Sequence, residues 1–241
     1  MSATNDFFAY ERPSLATDLV LMRIVENKDK RYLNKSLQVQ LVKRDIEPFV
    51  GLWTLPGAFV NIDETIEDAL TNKVFKKSGY DNFYLEQLFT FDAIDRDPRW
   101  RVIGVSYIGI LKENYPAVSQ MEAKWFTIAD DGLHSDDESI FIPSNEMQEM
   151  LGFDHAAILN MALERLKNKI FYTDIAFNFV GDVFTLRELQ DVFEAIVGKK
   201  INNFQRTMKE KIVETGEMMQ GQAYRPARLY NKNKKGFEHN D

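Results

Sequence analysis

Along the first half of the chain, apolar positions come in short runs with the character of strands. LATDLVLMRIV (15–25) and SLQVQLVKR (36–44) are rich in β-branched and long aliphatic residues, with a polar stretch over 26–35 between them. Such a pattern predicts two paired strands. LWTLPGAFVNI (52–62) predicts a further short strand, broken by Pro-Gly. The period then changes. Over 65–77, Ile66, Ala69, Leu70 and Val74 fall on one stripe of a helix, with Gly79 as its stop. LEQLFTF (85–91), VIGVSYIGIL (102–111) and EAKWFTI (122–128) return to strand character, and 154–168 predicts a long amphipathic helix with Ile158, Leu159, Ala162, Leu163 and Leu166 on its apolar side. Strands, a helix, more strands and a closing helix make a mixed α/β unit.

A second unit follows IAFNFV (175–180). Thr185 can cap a helix whose third residue, Glu188, reciprocates the cap, and Leu189, Val192, Phe193 and Ile196 supply its buried face up to Gly198. Asn202 is then expected to cap a second helix over 203–215, with Phe204, Met208 and Ile212 inward and Gln205, Arg206, Lys209 and Lys211 outward. Beyond Gly216, EMMQGQAYRPARLY predicts two short strands around a glycine turn, with Met218, Met219, Leu229 and Tyr230 on the buried side. Helix, short turn, helix and hairpin is the order of a winged helix, whose second helix enters a major groove. The last residues, NKNKKGFEHND, predict a disordered tail.

Composition narrows the function. The chain has 241 residues, a formal charge of −7 and no cysteine, which excludes disulfides, thiolate zinc sites and a cysteine nucleophile; three scattered histidines offer no metal cluster. No apolar run reaches a membrane-spanning length, and the N-terminal residues lack a signal-peptide pattern, so a cytoplasmic protein with no membrane partner is expected. The acidic average hides an asymmetry. Residues 198–237 carry ten basic side chains against Glu210, Glu214 and Glu217. A local field of that sign attracts phosphates, although a merely solubilising surface fits the charge equally well.

GLWTLPGAFV (51–60), Glu64 and the helix that ends at Gly79 and Tyr80 resemble the Nudix hydrolases, whose box starts with a glycine, places a glutamate six residues on and ends in a glutamate-rich helix. On this chain the starting glycine falls on Ala58 and the next match is Glu64, while the later element falls on Asn72, Lys73, Lys76 and Lys77. The framework persists and the chemistry differs. Carboxylates at 73 and 77, one helical turn apart, could share magnesium ions over a pyrophosphate; protonated lysine cannot ligate a hard cation. Glu64, Glu67 and Asp68 remain near the helix start, where acidic residues also suit the helix dipole. The lysines have two readings as well, as point charges for a ligand's phosphates or as partners of the helix's negative end.

FTFDAIDRDPRWRVIGVSYIGIL (89–111), FTLRELQDVFEAIVG (184–198), NNFQRTM (202–208) and YRPARLY (224–230) resemble the Nudix-related transcriptional regulators, the group of NAD-biosynthesis repressors and arabinose-responsive regulators, over about residues 10–231. That resemblance implies a Nudix-like α/β/α sandwich with a mixed sheet (1–153), a linking helix (154–172) and a winged helix-turn-helix DNA-binding domain with its tail (173–241). It implies a homodimer on a palindromic double-stranded DNA operator and a small sugar or nucleotide-sugar effector such as ADP-ribose. The polar segment between two strands, with Asp92, Asp95, Asp97 and Pro98, reads either as a salt-bridged turn or as an effector grip. In the second reading Arg96, Arg99 and Arg101, with Lys73 and Lys77, bind the effector. Asn203, Gln205, Arg206, Lys209, Arg225 and Arg228 are the expected DNA-binding residues, with Thr207 close to phosphate. No cofactor or catalytic residue is expected; the alternative, a divergent hydrolase acting on ADP-ribose, would need Mg²⁺.

Overall fold

The structure is a computed structural model that describes residues 11–27, 33–80, 83–112, 122–219 and 226–237. Strand β1 (Ser14–Glu26) pairs antiparallel with β2 (Lys35–Lys43), Met22 opposite Val39. Leu19 and Leu21 of β1 enter one apolar cluster and Val20 and Met22 the other. A strand buried on both faces reads as a continuous apolar run, which is why 15–25 shows little alternation. β6 (Val102–Ile110) lies parallel to β1 on its far side, and β5 (Tyr84–Phe91) lies antiparallel to β6 at the edge. Beyond β2 the sheet continues through β7 (Ala123–Ala129), β8 (Gly132–Ser135) and β9 (Phe141–Pro143). Short strands β3 (Trp53–Thr54) and β4 (Gly57–Phe59) pair with β2 and β1. The sheet is therefore mixed, with β8 and β9 not foreseen in the sequence.

One face is covered by α1 (Ile66–Ala69), a π-helical turn (Leu70–Val74) and α2 (Phe75–Ser78), run end to end. Thr65 and Asp68 form a reciprocal capping box at its start, and Gly79 closes it with φ +82°, a left-handed backbone that glycine adopts without strain. Leu70 and Val74 pack on Leu19 and Leu21. The opposite face is covered by α4 (His155–Lys169), preceded by the short α3 (Met147–Met150). Ile158, Leu159, Ala162 and Leu166 are fully buried, so the expected linking helix is also a layer of an α/β/α sandwich.

From α4 the chain passes through a 3₁₀ turn (Ile175–Phe179) into β10 (Val183–Thr185) and α5 (Leu186–Val197). Thr185 and Glu188 make the expected capping box, and Gly198 ends α5 at φ +80°. The second helix departs from expectation. α6 covers only Phe204–Met208, and Ile212–Met218 is a strand, β11, paired with β12 (Arg228–Lys232). Ile212, Val213 and Thr215 are β-branched, and the ladder with β12 takes them out of a helix. Asn202 does not cap: the residue before α6 is Asn203, in the left-handed region at φ 57° and without a side-chain cap bond. Met218 is 45% exposed rather than buried. Within the expected disordered tail, Lys234–Phe237 form a 3₁₀ turn, and Phe237 meets Phe177 edge-on at 5.6 Å. The expected wing turn and residues 238–241 lie outside the described residues.

Buried side chains of α4, the sheet and the winged helix form one continuous apolar cluster, from Val20 and Phe126 to Phe193, Phe204 and Met208. Asn34, just before β2, donates to Asp191 of α5 at 3.2 Å across the same junction. Among the described residues no helix is long and apolar enough to cross a membrane.

Candidate functional site

The box helix and its loop are held by ammonium groups. The Lys73 ammonium donates to the Phe59 carbonyl at 2.9 Å and pairs with the Glu64 carboxylate. The Lys77 ammonium donates to the Gly57 carbonyl at 2.6 Å. Glu64 also accepts from the Asn61 backbone N–H at 2.6 Å; the Lys73 bond, then this one, hold its carboxyl below the ordinary range. Burial, then the Arg44 charge, pushes the Lys77 ammonium below its usual value. Asn72 and Lys76 are exposed, and Ala58 is half-buried in β4.

Beside this loop opens a cavity of about 470 Å³, within the range of small-molecule sites. Its floor is a buried ionic network. Arg96, 8% exposed, grips Asp154 through two bonds of 2.8 Å and reaches Asp18 at 3.1 Å. The guanidinium lies flat on Gly104, where a Cβ would come within 2.7 Å of its central carbon. The His155 Nδ1 accepts the Leu55 N–H at 2.8 Å, which leaves the proton on Nε2, 3.5 Å from Asp18. Burial alone raises the Asp18 carboxyl, but the hydrogen bond from His155, joined by the charge and hydrogen bond of Arg96, outweighs it and holds the carboxyl below its usual value.

The walls combine rings with guanidinium groups. Arg44 lies over the Phe153 ring at 4.8 Å and Arg99 over Phe59 at 5.3 Å. Phe153 itself adopts φ 60° and meets Phe49, at φ 68°, edge-on at 4.8 Å. Left-handed backbone at a bulky residue costs on the order of 1–3 kcal/mol and persists where the surroundings fix it. The lining cations Arg44, Lys77, Arg96 and Arg99 stand with Asp18, Asp45 and Asp97, amid apolar walls that include Phe59 and Ile46. Phosphate oxygens and a flat ring both find complementary groups here.

Of the expected effector residues, the fold brings Lys77, Arg96 and Arg99 to one cavity. Arg99 is also the salt-bridged turn: Nε and Nη2 meet Asp97 at 2.9 and 2.7 Å. Arg101 is elsewhere, its guanidinium donating to the Asp92 and Ala93 carbonyls at 2.8 and 3.0 Å. Lys73 is not part of the wall, because its ammonium is drawn to Glu64 and the Phe59 carbonyl. Arg44, Asp18, Phe153 and His155 were missed. They come from three places in the sequence, and only the polar Asp154-His155 pair opening an apolar helix was a visible signal.

The donor set does not suit a magnesium ion. Lysines stand at the two i,i+4 positions, Glu64 is paired with Lys73, and Asp68 is engaged by the Thr65 cap. Among the described residues no group of three or more acidic or histidine side chains could hold a metal.

On the winged helix, Phe204 and Met208 are buried, Phe204 meeting Phe193 edge-on at 5.0 Å, which turns Gln205, Arg206, Thr207 and Lys209 outward. Asn203 is also exposed. Arg228 of β12 is exposed beside Glu214 at 3.0 Å, and Arg225 lies outside the described residues. Lys211, expected outward, instead donates to the Phe171 carbonyl and lies 5.4 Å from the Phe237 ring.

A Nudix-like α/β/α sandwich with a ligand-sized cavity, joined to a winged helix with a bare polar face, defines a ligand-responsive DNA-binding regulator with a Nudix-like sensor domain. Residues 176–231 match the family model described as the NrtR DNA-binding winged helix domain. The chain is 29% identical over 226 residues to the ADPR responsive transcriptional repressor NtrR of Acinetobacter baylyi, covering 92% of this chain and 82% of that one. Among solved structures, Shewanella oneidensis NrtR is 30% identical, with a TM-score of 0.67 over 93% of this chain and 96% of that one. Its complex with a 27mer DNA matches with a TM-score of 0.66, 29% identity and coverage of 92% and 95%. A MutT/nudix family protein from Enterococcus faecalis matches with a TM-score of 0.75, 27% identity and coverage of 96% and 94%. The chain belongs to the NrtR family of Nudix-related transcriptional regulators.

Proposed function

We propose that this protein is a homodimeric repressor that binds a palindromic operator and takes ADP-ribose, or a closely related nucleotide sugar, in the sensor cavity without cleaving it. The observation that carries this reading is the meeting of Arg44, Lys77 and Arg99 with the Phe59 and Phe153 rings in one cavity, beside a box whose helix bears ammonium groups. Two guanidinium groups and an ammonium suit a pyrophosphate, and an aromatic wall suits a base. A free pentose brings no phosphate to these cations. The Acinetobacter relative, named as ADPR responsive, supports the same ligand.

The cavity and the reader share one element. Asp154 and His155 open α4 at the cavity floor, and its other end leads into the winged helix. At 1.5 Å per residue, its 15 residues span about 22 Å. A ligand that favours one placement of α4 therefore favours one placement of the winged helix, provided that its affinity differs between the two states.

Selection of genomic fragments on the purified full chain tests the DNA reading: one palindromic sequence is retained after competition. Light scattering of the complex shows two chains per operator. Calorimetry with ADP-ribose in the presence of chelator shows saturable binding, and no AMP accumulates on addition of Mg²⁺. Retention of no sequence, or the absence of ADP-ribose binding, contradicts the proposal.

A further inference from the structure

A second cavity, of about 590 Å³, lies at the junction of the sensor and the winged helix, remote from the box. Its floor is apolar, with Leu37 and Ile128 from the sheet, Leu163 from α4 and Ile196 from α5. Four lysines line it: Lys35 at the start of β2, Lys167 on α4, and Lys199 and Lys200 in the turn between α5 and α6. Asp130 is the one carboxylate among the described lining residues. Two of the lysines are partly neutralised: Lys200 by Glu194 at 3.1 Å and Lys35 by Glu26 at 3.9 Å. Lys167 and Lys199 have no ion-pair partner among the described residues.

We propose that this cavity is a second ligand site, for a phosphate-bearing small molecule with a flat apolar body, of the nucleoside polyphosphate class. The concave apolar floor takes the body, and the ammonium groups of Lys167 and Lys199, approaching from different domains, take the phosphates. A DNA backbone reaches an exposed turn such as Lys199, but it leaves the apolar floor unfilled and does not account for Lys167 on the sensor helix. Position gives the site its consequence. Lys199 and Lys200 stand four to five residues before Phe204, the first residue of α6, so an anion bridging Lys199 to Lys167 ties the recognition turn to the sensor. This inference does not rest on ADP-ribose as the ligand of the first cavity.

The test is calorimetry on the full chain with ATP and, separately, inorganic pyrophosphate. ATP is expected to bind, with a loss of about tenfold or more in the Lys167→Gln/Lys199→Gln double variant. Both side chains are exposed, so the variant keeps its fold, which its melting curve verifies. Arg44→Gln, in the first cavity, is titrated in parallel, and the second site is read as the ATP binding that this variant keeps and the double variant loses. Pyrophosphate is expected to bind at least about tenfold more weakly than ATP, since it cannot use the apolar floor. The inference is overturned if ATP does not bind, if Arg44→Gln rather than the double variant abolishes binding, or if pyrophosphate binds as well as ATP. It is also overturned if Lys199→Gln weakens operator binding while ATP binding stays at the parent level, which would make the lysine a DNA contact only.

Discussion

The cationic side chains of the sensor and those along α6 of the reader are used in opposite ways. In the sensor, Arg96 is bound by Asp18 and Asp154, Arg99 by Asp97, Arg101 by two carbonyls, and Lys73 and Lys77 by the loop they hold. On α6, Gln205, Arg206 and Lys209 are exposed and have no side-chain partner among the described residues. A site for a small ligand gains from groups already fixed in place, because the entropy of ordering them is met during folding. A surface that reads a polyanion gains from groups that exchange water and counterions for phosphate. Charge is therefore largely structural in the first region and available in the second.

Substitution at the two regions should separate stability from recognition. The largest effect is expected at Arg96. Arg96→Met leaves Asp18 and Asp154 without their cation, at a cost of about 3–5 kcal/mol in urea unfolding. A loss below about 1 kcal/mol would mean that the network does not brace the fold. Next comes pH. Because Asp18 is held below the unfolded value of about 3.9, its contribution is fully present above that pH and is lost as pH falls through its folded value. Asp18→Asn should therefore lower the melting temperature at pH 7 and converge on the parent in acid; a constant offset at every pH would contradict this.

At the reader, Arg206→Ala should weaken operator binding by about 1–3 kcal/mol, roughly fivefold to 150-fold, with an unchanged melting temperature. Fluorescence anisotropy at fixed salt measures it, and equal binding by the variant would remove Arg206 from the interface. The smallest effect is expected at Arg101, where Arg101→Gln should change ADP-ribose affinity by less than about twofold, because its guanidinium closes a turn outside the cavity. Arg44→Gln, which removes a cation from the cavity wall, should cost about tenfold in the same titration.

The fold was legible wherever the pattern was local. The strands of the sheet core, the Thr185–Glu188 cap and the glycine stops at 79 and 198 follow from periodicity and backbone preference. The helix predicted over 203–215 failed because pairing with β12, which helical periodicity does not register, decides the fate of 212–218. The site shows the same division. Box position pointed to Lys73 and Lys77, but the fold turns one toward Glu64 and the other toward the cavity. Arg44 and Phe153 belong to the site only because β2, β4 and the start of α4 converge, which no stretch of sequence records.

The central claim is that ligand in the sensor and DNA on the reader are coupled, and linkage gives it a direct test. ADP-ribose affinity is measured by calorimetry on the free chain and on the chain saturated with operator, and operator affinity with and without ADP-ribose. The account predicts that both affinities change by the same factor, at least about fivefold. Equal ADP-ribose affinity with and without operator would contradict it.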